Sequence, residues 1–356
     1  MSALTTLIEK PARWLSGDAE EGELVLSSRV RMARNLDKRP FTHGASAQVL
    51  GEIRDEVKAA LADCPSLAGS VVLDMDETPE PDRLLLAERR LISREMVKNA
   101  LNRSLVAQPD EELGVMINEE DHLRIQSFEP GLAVQKAFER LGGLDNEIDE
   151  RLCYAYSEEL GYLTACPTNV GTGLRVSAMV HLPGLVHNKD IGQVLDGLRN
   201  IRLTVRGIYG EGSDIIGNFF QVSNSITLGL SEEDTVKNLE GHVRKVLEFE
   251  KKARSVLLKK ARSLLEDKIW RAYGILKTAR LVTSKEAMGL LSAVRLGIGL
   301  GIITDCNLTT LNELFIMIQP MHLQKLQDRV LKVEERDRAR ADYIRAKLDV
   351  NNAQPV

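Results

Sequence analysis

The feature that most limits what this chain can fold into is a change of periodicity at Ser231. Before it, short apolar runs with twofold alternation follow one another, at residues 22–35, 71–73, 114–117, 123–127, 162–165, 176–181 and 201–206. The runs at 114–117 and 123–127 flank Asn118-Glu119-Glu120-Asp121 and predict a hairpin; residues 218–228 predict a second, turning at Ser223-Asn224. Amphipathic spacing predicts a helix over 46–62, with Val49, Leu50, Ile53, Val57, Ala60 and Leu61 on one face. Further helices are expected over 82–105, a strongly basic stretch, and over 132–152, interrupted at Gly142-Gly143. Sequential strands without a βαβ rhythm argue for an antiparallel sheet with helices packed on it, an α+β fold. After Ser231-Glu-Glu-Asp234, a capping-box pattern, Val236, Leu239, Val243 and Val246 recur at helical spacing. Nearly everything from there to about Lys347 reads as helix, with a second box at Thr283-Ser-Lys-Glu286. The expected organisation is an α+β domain over 1–253, an all-helical domain over 254–350 and a disordered tail over 351–356.

Composition excludes several classes. A formal net charge of -5 gives no global basic field that would draw the chain to nucleic acid or membrane. Cys64, Cys153, Cys166 and Cys306 form no C-x-x-C pair and no metal-ligand spacing with the histidines, so no metal site made by protein alone is expected. No signal segment opens the chain and no apolar run reaches membrane-spanning length, so a reducing cytoplasm is the expected compartment. Gly297-x-Gly299-x-Gly301 lacks a preceding strand and reads as close helix packing, not as a dinucleotide fingerprint.

Four segments carry the chemistry. Cys166-Pro-Thr-Asn-Val-Gly-Thr-Gly-Leu-Arg175 makes a poor core strand and a poor ordinary loop. Its thiol can ionise near neutral pH if positive charge lies close by. Gly171 and Gly173 would let the backbone approach a ligand, and Arg175 offers a planar fork to phosphate or carboxylate. Ser27-Ser28-Arg29-Val30-Arg31 places two arginines on one face of a strand. Asn118-Glu119-Glu120-Asp121-His122-Leu123-Arg124 sets acids at a hairpin tip with an arginine just inside it, and Arg206-Gly207-Ile208-Tyr209-Gly210-Glu211 ends a strand with an arginine, a flexible turn and a carboxylate. Taken singly, each has an ordinary reading as a packed small thiol, a solvated strand face, a soluble acidic turn or a common turn composition.

In this order, spanning Ser27 to Glu211, the four segments resemble the phosphagen (guanidino) kinase catalytic domain, with coverage to about residue 253. The resemblance implies a kinase using ATP and Mg2+, the metal held mainly by the nucleotide. The residue chemistry agrees. Transfer of a γ-phosphoryl group depends chiefly on positioning and charge neutralisation, and Arg29, Arg31, Arg124, Arg175 and Arg206 would form a phosphate clamp of charge-assisted hydrogen bonds. No G-x-x-x-x-G-K-[ST] loop, H-R-D or D-F-G is present, which removes the commoner ATP-binding designs. A guanidinium has a pKa of roughly 12.5–13.8, so freeing its lone pair at neutral pH costs about 8 kcal/mol. Two carboxylates can hold the fork in line and accept the proton as the N–P bond forms. By resemblance these are Glu120, the better candidate for base, and Glu211. Cys166 would then be a thiolate beside the non-reacting guanidino nitrogens, tuning their charge without covalent attack.

Metabolic creatine and arginine kinases carry a small helical domain ahead of the S-S-R-V-R segment, whereas here only 26 residues precede Ser27. The cap over the acceptor site is therefore expected to be missing, leaving a cleft that a protein surface could enter. Helices after Ala253 also have no counterpart in those enzymes. Both features resemble the bacterial protein-arginine kinases, as do the runs at 161–175, 209–213 and 265–276, over the full length. That resemblance implies ATP contacts at Ser27, Ser28, Arg29, Val30 and Arg31, at Arg124, at Arg175, Val176, Ser177, Ala178 and Met179, and at Arg206, Gly207, Ile208, Tyr209, Gly210 and Glu211. Arg90 stands where family members often carry a histidine contact. Arg336-Asp337-Arg338-Ala339-Arg340-Ala341 reads from composition as a solvated helix face. In the family such a run forms an allosteric phosphoarginine pocket, which the resemblance assigns to Arg336, Asp337 and Arg340. It further implies protein substrates with exposed arginines, a DNA-binding repressor among the candidates, without direct nucleic-acid binding by this chain. A small zinc-binding activator, a Clp-type unfoldase, a role in stress response and protein quality control, and a homodimer or larger assembly complete the expectation. The alternatives are a kinase for free arginine and a non-catalytic phosphoarginine-binding regulator.

Overall fold

The computed structural model describes Leu4, Leu7, residues 11–207 and residues 216–350. Its strands are β1 (Val25–Arg34), β2 (Val71–Asp74), β3 (Ser104–Ala107), β4 (Leu113–Ile117), β5 (Leu123–Pro130), β6 (Tyr156–Ser157), β7 (Gly161–Tyr162), β8 (Leu174–His181), β9 (Leu203–Arg206) and β10 (Phe219–Asn224). The helices are α1 (Ala47–Ala62), α2 (Glu80–Glu88), α3 (Arg94–Lys98), α4 (Val134–Asp149), α5 (Pro183–His187), α6 (Ile191–Asn200), α7 (Glu232–Thr278), α8 (Ser284–Gly299), α9 (Leu308–Met317), α10 (Pro320–Leu326) and α11 (Val333–Val350). Eight strands form one sheet in the order β2-β3-β4-β5-β1-β8-β10-β9, antiparallel at every pairing. The α+β expectation holds.

Alternation gives the sheet two unlike faces. One carries Val30, Ile125, Val176, Ala178 and Val222, all buried, against Leu141, Leu144 and Ile148 of α4 and Val236, Leu239 and Val243 of α7. Each such Val, Leu or Ile side chain contributes about 1.5–3 kcal/mol when fully buried. The other face carries the arginines along its middle. Beyond them Phe128, Met179 and Phe219 pack with Trp14 and with Leu291, Leu311, Leu314 and Phe315 of the C-terminal helices. The helical region therefore docks on the arginine face. Within that region Gly297 lets α8 pack closely on α7, since a Cβ there would stand 2.5 Å from Ile269 Cγ2.

Caps appear where the sequence places them. The Ser231 side chain accepts from Asp234 N at the start of α7, and Thr283 accepts from Glu286 N at the start of α8. Helix α7 runs unbroken past residue 253 and departs from helical geometry at Ala261 (φ -145, ψ 35).

Four local expectations are corrected. The stretch 82–105 is not one helix. It stops after Glu88, Arg89 turns inward to a buried ion pair with Glu111, Arg90 takes φ 65, Ser93 caps α3, and Leu105 lies in β3. Conversely, α4 continues through Gly142 and Gly143; the helix loses roughly 1 kcal/mol at each, less than the burial of Leu141, Leu144 and Ile148 returns. Residues 162–165 contribute only the end of β7. Residues 218–228 do not make a hairpin: Ser223 and Asn224 stay within β10, where Asn224 accepts from Val176 N (2.8 Å) and donates to Leu174 O (3.0 Å), replacing a turn by side-chain pairing.

Arg34, at the end of β1, projects onto the apolar face and binds Asp145 of α4 at 2.7 Å, Glu232 of α7 at 3.4 Å and Thr172 O at 2.9 Å, with Tyr162 under its guanidinium at 3.6 Å. Three elements meet on this one buried cation. Breaking a buried pair costs about 3–5 kcal/mol because a desolvated charge is left behind. Asp145→Ala is therefore expected to lower the unfolding free energy by about that amount in urea titration; a loss below about 1 kcal/mol would show that the pair does not hold the fold.

Candidate active site

The twofold period of β1 and its neighbours assembles the cations. Arg29 and Arg31 share a face; Arg31 lies opposite Gln126 of β5 and Arg175 of β8, and Arg29 lies opposite Phe128 and Ser177. Arg124 comes from β5, opposite Ala33, and Arg206 from β9, opposite Gln221. Like charges set directly across a strand pair repel. Burial and then the charges of Arg124, Arg90 and Arg175 push Arg29 well below the ordinary arginine value; burial and then Arg29, Arg124 and Arg175 do the same to Arg31. The Nε atoms of Arg29 and Arg31 are buried without a hydrogen-bond partner among the described residues. Buried cations in this state call for an anion.

What holds them apart is modest. Arg29 donates to Gln126 Oε1 at 2.5 Å and stands 4.9 Å over the Phe128 ring. Arg124 donates to Glu119 Oε2 at 2.6 Å. Burial opposes charge on Glu119, but the Arg124 charge and hydrogen bonds from Ser93 and Arg124 outweigh it and hold the carboxyl at about 2.

Two cavities open on this face. The first, of about 350 Å³, is lined by Arg31, Arg124, Arg175 and Arg206 together with Glu120 and Cys166. The second, of about 720 Å³, shares Arg31 and Arg124 and adds Arg29 and Arg90. A carboxylate and a thiol thus stand with four arginines around one space. Asp121 makes this proximity. Its Oδ1 accepts from Ala165 N and from Asn35 Nδ2, each at 2.7 Å, tying the residue after Glu120 to the residue before Cys166. Cys166 Sγ lies 3.0 Å from Thr168 Oγ1.

Gly171 and Gly173 are also required by the backbone itself, and Gly173 lines the first cavity. Both have positive φ (111 and 62), and a Cβ would stand 2.2 Å from Thr227 O at Gly171 and 2.6 Å from Ala33 O at Gly173. They allow backbone to pass backbone, so the thiol segment can seat against β1 and the chain after β10.

The remaining residues named from sequence are placed as follows. Ser28, Val30, Val176 and Ala178 alternate away from the arginines; the last three are in the apolar core, and Ser28 Oγ donates to Gly131 O and accepts from Ala133 N ahead of α4. Ser27 and Ser177 are buried on the arginine side, and Met179 is buried against the C-terminal helices. Arg90 lines the second cavity, 5.8 Å over the Trp14 ring. Gly207 is buried at the end of β9, whereas Ile208, Tyr209, Gly210 and Glu211 lie outside the described residues. Arg340 is buried among the C-terminal helices and pairs with Asp337 at 2.6 Å; Arg336 is half-buried one turn earlier. Sequence reading missed Gln126, Asp121 and Asn224 as organisers. Gln126 was accessible to it, standing two residues beyond Arg124 on one strand.

A depressed carboxyl stabilises the fold above its unfolded value, and that stability is lost as pH falls toward the folded value. For Glu119, shifted from 4.5 to about 2, this amounts to roughly 3 kcal/mol at neutral pH. Glu119→Gln should therefore be less stable than the parent at pH 7, with the gap closing between about pH 4.5 and 2. Urea midpoints across that range would check it, and a pH-independent gap would contradict it.

The geometry has relatives. The family described as ATP:guanido phosphotransferase, C-terminal catalytic domain, matches residues 52–253, and that described as protein-arginine kinase McsB C-terminal domain matches residues 262–355. A protein-arginine kinase of Halothermothrix orenii is 42% identical over 98% of this chain and 100% of its own length. One of Clostridium tetani is 42% identical over 94% of this chain and 98% of its own. Among solved structures, lombricine kinase superposes with a TM-score of 0.59 at 26% identity, covering 68% of this chain and 71% of that one. The duplicated taurocyamine kinase of Schistosoma mansoni superposes with a TM-score of 0.60 at 23% identity over 70% of this chain and 38% of that one, a likeness of fold. With a catalytic-domain match over more than half its residues and such similarity along its length, the chain belongs to the ATP:guanido phosphotransferase family and, within it, to the protein-arginine kinases.

Proposed function

We propose that this protein transfers the γ-phosphoryl group of ATP to arginine side chains of proteins, forming N-phosphoarginine. The observation that carries this reading is the convergence of Arg31, Arg124, Arg175 and Arg206 with Glu120 and Cys166 around one cavity. In it the arginines, with Arg29, bind the phosphates and neutralise the charge that spreads over the transferred group. Arg90 completes the nucleotide end. Mg2+ would be carried by the nucleotide, where it would neutralise phosphate charge, since the side chains of the clamp are cationic and would repel a bare dication. Glu120, exposed at the hairpin tip, takes the proton from the acceptor guanidinium as its nitrogen lone pair attacks the γ-phosphorus. The N–P bond forms, the bond to the bridging oxygen breaks, and ADP leaves with that electron pair. Glu211 is assigned the second hold on the acceptor and Cys166 the electrostatic partner of its non-reacting nitrogens.

The choice of a protein over free arginine is supported by the C-terminal match and by the names of the relatives. A division into a catalytic domain over 1–253 and a regulatory or oligomerising domain over 254–350 belongs to the same proposal. So does a regulatory phosphoarginine site at Arg336, Asp337 and Arg340. Work in the cytoplasm on stress response, with a zinc-binding activator and a Clp-type unfoldase, follows from the family resemblance. No helix among the described residues is long and apolar enough to cross a membrane.

With Mg-ATP, the protein should place acid-labile phosphate on an unfolded arginine-rich protein. Transfer to free arginine alone would overturn the choice of acceptor. Glu120→Ala should lower transfer to protein by about 10²–10⁴-fold, the usual worth of a positioned base, with ATP binding largely kept. Near-normal phosphorylation by that variant would remove Glu120 from the role.

A further inference from the structure

The larger cavity is built from two sources. Its arginines, Arg29, Arg31, Arg90, Arg94 and Arg124, all come from the part of the chain before residue 253. Much of its remaining wall does not: Phe315 and Ile316 come from α9, Gln319 and Met321 from the α9–α10 junction, and Ser284 from the first turn of α8. Resting on the ATP reading above, we propose that the C-terminal helical region is part of the nucleotide site. Phe315, Ile316 and Met321 form an apolar wall that receives the base while the arginines take the phosphates.

Three observations support this. The cavity is amphiphilic in the way a nucleotide is: the guanidinium groups of Arg29, Arg31, Arg90, Arg94 and Arg124 line it together with the apolar side chains of Phe315, Ile316, Met321, Ile92 and Met116. At about 720 Å³ it falls within the roughly 300–1,000 Å³ of small-molecule sites. The wall is also fixed from both sides. Toward the sheet, the Glu88 carboxylate accepts from Met321 N (3.0 Å) and His322 N (3.2 Å) and pairs with His322 Nδ1 (2.8 Å), which clamps α10 to α2 two residues before Arg90. Behind it, Arg340 donates Nε to Ile318 O (3.0 Å) and Nη1 to Val282 O (2.9 Å), while Asp337 Oδ1 accepts from the same guanidinium (2.6 Å). Ile318 sits within the Phe315–Met321 wall, and Val282 lies two residues before Ser284. One buried guanidinium thus holds both wall segments, which makes Arg340 a positioning residue for the base.

The test separates base from phosphate. Mg-ATP and inorganic tripolyphosphate are titrated calorimetrically into the full chain and into Met321→Asn, Met321→Ala and Arg340→Lys. Met321 is only half-buried, so its variants should fold. Met321→Asn should weaken ATP by about tenfold and Met321→Ala by about threefold, with tripolyphosphate within about twofold of the parent. Arg340→Lys, whose single nitrogen cannot span the separate carbonyls that Arg340 Nε and Nη1 reach, should show the same split. Unchanged ATP affinity in Met321→Asn, or equal weakening of both ligands, would overturn the proposal. If the parent bound tripolyphosphate but not ATP, the wall would be refuted while the anion clamp stood; if it bound neither, the kinase reading itself would fall and the wall with it.

Discussion

Repulsion among arginines buried on one sheet face is the constraint on which the rest of this structure depends. Arg31 stands directly opposite Arg175, with Arg29 and Arg124 on the adjoining positions of the same face. Such a face is tolerable only because the opposite one is a continuous aliphatic core, from Val30 and Ile125 to Val176 and Val222. The sheet therefore has a side that stabilises and a side that waits for charge. A ligand that brings several negative charges binds the folded chain alone and stabilises it by mass action.

The acid and the thiol reach that face by indirect means. Asp121 ties the hairpin tip to Ala165, Arg34 ties the Cys166–Arg175 segment to α4 and α7, and two glycines let the backbones pass. Behind the proposed nucleotide wall, Arg340, assigned with Asp337 to a regulatory phosphoarginine site, already holds Val282 and Ile318 while pairing with Asp337. If those residues also take phosphoarginine as proposed, regulator and wall draw on the same guanidinium, and the two sites are coupled by construction.

Local rules carried much of this far. The alternation of Arg29 and Arg31, the capping boxes at Ser231 and Thr283, and the hairpin around Glu119 and Glu120 depend on near neighbours in the chain and were legible. Features set by distant partners were not. Helix α2 ends where it does because Arg89 finds Glu111, 22 residues on. The Asn224 turn signal is overridden because its amide pairs with Val176 and Leu174, some 50 residues back. That Gly171 and Gly173 must also clear Thr227 O and Ala33 O is set by distant chain and was not legible. Arg340, which composition alone would put on a solvated face, is buried. No periodicity announces that Phe315 and Met321 will line the same cavity as Arg29.

The most direct test of the central claim is the melting temperature of the parent and of Arg31→Met, each with and without saturating tripolyphosphate. Replacing a buried, repelled cation by an apolar side chain of similar length should raise the melting temperature of the ligand-free chain. The same change should cut the ligand-induced rise, which for the parent corresponds to about 2.7 kcal/mol at a hundredfold excess over Kd. A ligand-free variant that melts lower than the parent and still shows the full ligand-induced rise would mean that Arg31 is held for packing, and that the arginine face is not an anion clamp.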